Sequence, residues 1–383
     1  MPPQFPAAAQ VLSLTDPLSI YIHIPFCERK CNYCAFYSRT GDSDIQDAYT
    51  AAVINQIKLW GGRTSRPVCT VYFGGGTPSV LGSKRLTAIL NAVRNSFNVN
   101  ADAEITVEAN PADNLAPFFK MLKKAGFNRV SLGVQSANDD ELRLLGRRHN
   151  TQDVVKCIRD AKNAGFDNIS LDLMIGLPYS GTEKLKKSLD FVFKSRVQHI
   201  SVYILKCEEG TPLYNSDCRS AIPDDDAVAD QYLYVCDTAE KHGYKHYEIS
   251  NFALNGFESR HNSRYWLCKE YLGFGPSAHS FFNGKRFYYT ADIHKYIADP
   301  TPVPDGYGGD LEEYVMLGLR LRSGISSTYA KHKYSAPLPE SMFDKARILE
   351  KNRLCVTDGD RIFLTDKGML VSNSIITQFL QEI

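Results

Sequence analysis

The chain has 383 residues, with 44 Lys and Arg against 43 Asp and Glu and a net charge of +1. That length holds one large domain plus a small one, and so even a charge balance leaves no electrostatic footprint for nucleic acid or an anionic membrane surface. Its ten cysteines are too dilute for a disulfide scaffold and suit reduced thiols in a cytosol, no apolar run reaches a membrane span, and the N-terminus lacks the basic start of a secretory signal, so a cytoplasmic protein without membrane span or nucleic-acid partner is expected.

Residues 1–18 are rich in Pro and Ala and read as a lead-in. From residue 19, β-branched runs alternate with amphipathic segments, the rhythm of βα units around a parallel sheet. Strands are expected at 19–24, 69–73, 104–108, 129–134, 168–174 and 199–204, and helices at 44–61, 83–97, 114–125, 151–164, 181–195 and 224–242. The phrases KKAGF (123–127) and KNAGF (162–166) each close a helix with a glycine suited to a C-cap. Six units fit either an open doubly wound sheet or part of a barrel. Polar residues favour the barrel: GGGTP (74–78) follows the second strand, Glu108 ends the third, Gln135 follows the fourth and Asp172 lies in the fifth. A barrel gathers such strand ends on one face, whereas an open sheet spreads them along a crevice.

The fold class expected is thus α/β, with a barrel over 19–250. After about residue 245 the rhythm stops, and 251–309 reads as an aromatic-rich extension in which FGPSAHSFFNG (274–284) is a loop and PTPVPDGYGG (300–309) a linker. Residues 310–383 suggest a small α+β domain: helices at 311–321 and 343–354, a hairpin turning at Asp358-Gly359, and a last helix. The pattern is winged-helix-like. Without a dense basic stripe it reads as a packing or partner module.

The stretch YIHIPFCERKCNYCAFY (21–37) carries Cys27, Cys31 and Cys34 in a C-x3-C-x2-C spacing. Three thiolates in one loop suggest a soft-metal site. A closed zinc site wants a fourth protein ligand, whereas an iron–sulfur cube held by three cysteines keeps one iron open. The ordinary alternative is a group of small buried cysteines, against which the polar residues between them speak. GGGTP alone is an ordinary tight turn or a place where backbone approaches a ligand, and it lacks the continuation of a Walker loop. Glu108, Gln135, Arg147 and Asp172 are each unremarkable. Together they suit a zwitterionic ligand bearing a sugar.

CERKCNYC resembles the cluster motif of radical S-adenosylmethionine (SAM) enzymes. With YIHIPFC before it and GGGTP after it, the chain is similar to the coproporphyrinogen III dehydrogenase-like (HemN) branch from residue 19 to the C-terminus. The resemblance implies a partial (β/α)6 radical SAM barrel and a [4Fe–4S] cluster on Cys27, Cys31 and Cys34. In that family the open iron takes the amino and carboxylate groups of SAM, whose reductive cleavage yields methionine and a 5′-deoxyadenosyl radical. By motif, Tyr21 matches the contact at the sulfonium and Tyr33 the aromatic near the adenine. Gly75, Gly76 and Thr77 match the strip along the methionine, and Glu108, Gln135, Arg147 and Asp172 the polar contacts, with Arg148 as fallback for Arg147.

Within the branch, the dehydrogenases carry a fourth cysteine where this chain has Phe36, and a longer N-terminal segment. RHNSRYW (260–266), with H-N-x-x-Y-W, resembles the HemW heme chaperones, as do YEISNFA (247–253) and YLGFGPSAHSF (271–281). Ala35 departs from the Asp common in that family. This resemblance implies heme as a ligand, with His261 as heme-binding candidate beside Tyr265 and Trp266, and His279 second. The ordinary reading of His261 is a histidine with local structural bonds, and of Cys268 a structural thiol. The expectation is a heme chaperone passing heme to apo-hemoproteins, served by an electron donor, with a homodimer left open. The alternatives are an oxygen-independent coproporphyrinogen III dehydrogenase and an anaerobic heme-degrading radical SAM methyltransferase.

Overall fold

A computed structural model describes residues 16–111 and 115–383, so the lead-in reading of 1–18 falls almost wholly outside the described residues. Six strands, β1 (Leu18–Ile24), β2 (Pro67–Gly75), β3 (Asn98–Ala109), β4 (Arg129–Gln135), β5 (Ile169–Ile175) and β6 (His199–Ile204), pair in parallel in chain order. Their apolar runs lack strict alternation because both faces are covered; in β1 every residue except Tyr21 is buried. The helices between them span Ser43–Gly61, Ser83–Ser96, Ala116–Ala125, Thr151–Asn163 and Thr182–Ser195, and Asp225–Lys241 follows β6. Local chemistry sets their ends. Asp42 and Asp224 accept amide bonds at two N-termini, and Asn150 with Asp153 forms a capping box at a third. Gly126, at φ +97°, closes Ala116–Ala125 in the left-handed conformation glycine adopts at no steric cost.

The curved sheet stays open and continues past both ends of this unit. Beyond β6 stand β8 (Asn251–Ala253) and β7 (Lys245–Glu248); beyond β1 stand β9 (Tyr271–Phe274), parallel to it, and then β10 (His279–Phe282), β11 (Lys285–Tyr288) and β12 (Val303–Tyr307) in antiparallel pairing. Two expectations are corrected here. Residues 274–284 are a loop only at 275–278; the rest is the end of β9 and all of β10, joined to β11 by Asn283-Gly284, both at positive φ as a tight hairpin turn requires. The expected linker at 300–309 contains the edge strand β12, which accommodates Pro304 because an edge has an unpaired side.

The H-N-x-x-Y-W stretch forms the helix Arg260–Trp266, which packs against β1, β2 and β3. Glu104 in the middle of β3 accepts the amides of Arg260 and His261 at 3.0 and 2.9 Å, and Arg264 donates to the Ser19 hydroxyl of β1 at 2.7 Å.

The C-terminal region has helices Leu311–Gly318, Ser327–Tyr334, Glu340–Lys351, Asp366–Leu370 and Ser372–Leu380 around strands β13 (Ile325–Ser326), β14 (Cys355–Thr357) and β15 (Arg361–Leu364), paired in the order β13-β15-β14. Its last helix, expected as one piece, breaks at Val371. Its buried side chains, such as Val315, Ile376 and Phe379, join the same apolar cluster as the barrel core. No described helix is long and apolar enough to cross a membrane.

Candidate cluster and cofactor site

Because β1 to β6 are parallel, their C-terminal ends share one face, and the loop after β1 emerges there. Hydrogen bonds from backbone and the Asn32 side chain fasten this loop on two sides. The amides of Gly76 and Thr77 donate to the carbonyls of Ile24 and Phe26 at 2.8 and 2.7 Å, while Asn32 donates to Leu145 and Leu144 at 3.0 and 2.8 Å. This fastening explains the glycines. A Cβ on Gly76 would lie 2.7 Å from the Phe26 carbonyl, and one on Gly75, at φ +109°, would lie 2.6 Å from the His23 ring.

Cys27, Cys31 and Cys34 are free and half-buried in this loop. Burial first, and then the neighbouring Cys31 and Cys27 sulfurs, push the Cys34 thiol up. Two donors reach the sulfurs: Thr77 Oγ1 is 3.4 Å from Cys27 Sγ, and Arg147 Nη1 donates to Cys31 Sγ at 3.5 Å. Such contacts tune thiolates on a cluster. Three free thiols in one loop, two of them touched by polar groups, fit a [4Fe–4S] cluster.

Arg147 turns inward. Its Nη2 donates to Asn110 Oδ1 and to the Gly133 carbonyl, each at 2.5 Å, while its buried Nε has no partner. Arg148 points outward into an exposed ion pair with Glu28. Of the two arginines Arg147 is the one that faces inward, and its orphaned Nε–H suits an acceptor. Gln135 ends β4 at φ +68°, with its amide close to Gly133. Tyr33 packs against Leu145, Leu177, Leu205 and Leu213. Burial raises its hydroxyl pKa, opposed by Arg147 and reinforced by Cys31, Cys34 and Asp172.

Deeper in the barrel, Glu108 accepts from the Tyr72 hydroxyl at 2.7 Å and the Gly75 amide at 3.1 Å. Burial raises its carboxyl to about 7 against those two bonds, and nearby Asp172 adds to the rise. Asp172 is also raised, by burial first, although Ser131 Oγ donates to both its oxygens at 3.0 and 3.2 Å. Tyr21 donates to His23 Nδ1 at 3.0 Å, and His23 Nε2–H in turn reaches the Tyr37 carbonyl at 3.1 Å. Burial lowers His23 to about 4, so it is neutral and serves as a strut. A cavity of about 450 Å³ opens beside these groups, lined by Tyr21, Gly75, Glu108, Phe36, Tyr37 and His279 among others.

His261 does not reach the cavity itself. The residue is 1% exposed and lies behind Tyr265, Tyr21 and Tyr72. Nδ1 bonds Thr70 Oγ1 at 2.8 Å and Nε2 bonds the Tyr265 hydroxyl at 2.9 Å, and the ring stacks on Tyr72 with centroids 5.0 Å apart. Desolvation lowers it to about 3. As folded here it presents no free nitrogen to an iron, whereas exposed His279 lines the cavity and stacks on Tyr288. Cys268 contacts Glu313 at 3.4 Å, and burial holds its thiol up at about 12, as a structural thiol. Sequence reasoning overlooked Asn110, which joins Arg147 to Thr77 by donating to Thr77 Oγ1 at 2.9 Å. Its place two residues after Glu108, at the period of a strand, was the available signal. Tyr72 and His23 gave none beyond an aromatic or polar residue in a strand.

Residues 21–192 match the Radical SAM superfamily, and residues 310–371 match the HemN C-terminal domain. The heme chaperone HemW of Lactococcus lactis is 35% identical over 375 residues, covering 96% of this chain and 98% of that protein. The heme chaperone HemW of Bacillus subtilis is 36% identical, covering 95% and 100%. The chain belongs to the HemW family. Within the solved structures it resembles the coproporphyrinogen III oxidase HemN of Escherichia coli, a radical SAM enzyme, with a TM-score of 0.82 and 21% identity, covering 97% of this chain and 91% of that one. That likeness speaks for the fold. This HemW-family chain presents the cysteine trio, the inward Arg147 and the Glu108 cavity at the C-terminal ends of its parallel strands.

Proposed function

We propose that this protein is a heme chaperone that binds heme and hands it to apo-hemoproteins, with a [4Fe–4S] cluster on Cys27, Cys31 and Cys34 and SAM beside it. The observation that carries this reading is the likeness to HemW heme chaperones along almost the whole of both chains. In it, Arg147 holds the SAM carboxylate through its unpartnered Nε–H, and Tyr33 packs beside the adenine against its leucine wall. Gly75, Gly76 and Thr77 line the methionine. Glu108, Gln135 and Asp172 supply the remaining polar contacts, and Tyr21 faces the sulfonium. When bound, the cluster supplies the electron that reductive SAM cleavage consumes, drawn from an external donor.

Phe36 is 70% exposed at the rim, beside Tyr37 and His279, and an exposed aromatic of this kind suits a flat apolar ligand. We assign iron ligation to His279 rather than His261, because a ligand needs a free ring nitrogen. Residues 310–383 serve as a packing or partner module, the cytoplasm is the expected compartment, and a homodimer is compatible with this reading.

Anaerobic reconstitution of the cluster, followed by heme and coproporphyrinogen III offered in parallel with SAM, tests the function. Heme should stay chemically unchanged and pass to an apo-globin probe. Protoporphyrinogen, or ring-opened heme, would sink the chaperone reading in favour of a dehydrogenase or a heme-degrading enzyme. His279→Ala should weaken heme retention with the cluster intact; unchanged retention removes His279 from the site.

A further inference from the structure

Far from the cysteine trio, Cys236 of the helix Asp225–Lys241, His246 of β7 and Asp366, first residue of the helix Asp366–Leu370, bring one ligand atom each within 4.8 Å of one another. The bonds around His246 constrain its protons. The Tyr232 hydroxyl donates to the Ile249 carbonyl at 2.9 Å, a group that can only accept. The Tyr232 oxygen, 3.3 Å from His246 Nε2, therefore accepts from Nε2–H. In a neutral imidazole this leaves a lone pair on Nδ1. That nitrogen faces Asp366 Oδ1 at 2.9 Å and Cys236 Sγ at 3.9 Å.

A lone pair and a carboxylate at hydrogen-bond distance need positive charge between them, either a proton on Nδ1 or a metal ion. The proton satisfies Asp366 alone. A cation takes the imidazole, the carboxylate and the buried thiolate together. Tetrahedral sites with bonds of about 2.0–2.3 Å place ligand atoms roughly 3.3–3.8 Å apart, and the two separations here straddle that interval.

The surroundings match those of a metal site. Arg322 Nη1 holds Asp366 Oδ1 at 3.1 Å and also donates to the Leu364 carbonyl at 3.0 Å, which orients the carboxylate. Tyr232 fixes the tautomer, and Phe252 stacks on the His246 ring with centroids 4.4 Å apart. One sulfur, one nitrogen and one oxygen suit a borderline divalent ion.

We propose that Cys236, His246 and Asp366 bind one zinc(II) ion, with water as fourth ligand, and that this ion clasps the C-terminal helices and sheet to the last barrel helix. The proposal is independent of heme and SAM. The test is elemental analysis of the full chain, produced with zinc in the medium and its cluster intact. It should show about one zinc per chain beside the iron. Cys236→Ser and Asp366→Asn should each lose most of the zinc while keeping iron content, which doubles as the control for folding. Cobalt(II) in place of zinc should give a thiolate charge-transfer band that vanishes in Cys236→Ser. Absence of zinc from the full chain, or zinc content unchanged in both variants, overturns the site. Should Cys236→Ser fail to fold, Asp366→Asn and the zinc content of the parent chain still decide.

Discussion

Two adjacent arginines give the sharpest test of the cofactor site. Arg147 commits Nη2 to Asn110 and Gly133 and reaches Cys31 with Nη1, leaving Nε as a buried unpartnered donor. A lysine has one nitrogen in place of this fork and cannot serve both the Asn110–Gly133 pair and a ligand. Arg147→Lys should therefore forfeit one charge-assisted hydrogen bond to SAM, worth about 1.5–3 kcal/mol, which weakens the Kd about 10- to 150-fold. Arg148 meets only Glu28, in an exposed pair, so Arg148→Lys should leave the Kd within about twofold. The assay is anaerobic calorimetry of SAM binding to the cluster-loaded protein, with visible absorbance confirming that the cluster is present. Equal weakening in both variants, or unchanged affinity in Arg147→Lys, refutes the assignment.

Replacing Cys27, Cys31 and Cys34 together with Ala should abolish cluster absorbance while far-ultraviolet circular dichroism stays, because the trio lies outside the packed core clusters; surviving absorbance would move the ligands elsewhere. Glu108 is raised from 4.5 to about 7 in the folded protein, chiefly by burial. Its contribution to stability is thus fully present below pH 4.5 and lost as pH rises through about 7. Glu108→Gln should flatten the fall of the urea midpoint over that window, a difference on the order of 3 kcal/mol by pH 8. Glu248, raised to about 7 by its own burial, keeps part of the slope, and an unaltered slope argues against the burial account. His261→Ala removes two buried hydrogen bonds and a ring stack, so it should cost about 2–4 kcal/mol of stability and leave heme retention intact. Heme loss at unchanged stability would return His261 to the heme site.

The sequence by itself determined the elements whose causes are local. β-branched runs, caps such as Asp42 and Asn150, and closing glycines such as Gly126 act within a few residues, and from 19 to 242 they mark the six parallel strands and the helices that follow them. The C-x3-C-x2-C spacing is likewise local, and with GGGTP it announced the cofactor face. Between residues 245 and 307 the strands are three to five residues long, too short for a periodic signal, and their places were settled when β9 joined β1 and β8 joined β6, which are distant in sequence. Only the tertiary structure decided between Arg147 and Arg148, since inward or outward depends on which carbonyls stand opposite. It also parted His261 from His279. The two lie 18 positions apart, yet one is buried between Thr70, Tyr72 and Tyr265 and the other is exposed at the rim of the cavity. Which of two nearby histidines is sealed by side-chain partners depends on residues distant in sequence, and chain position does not reveal it.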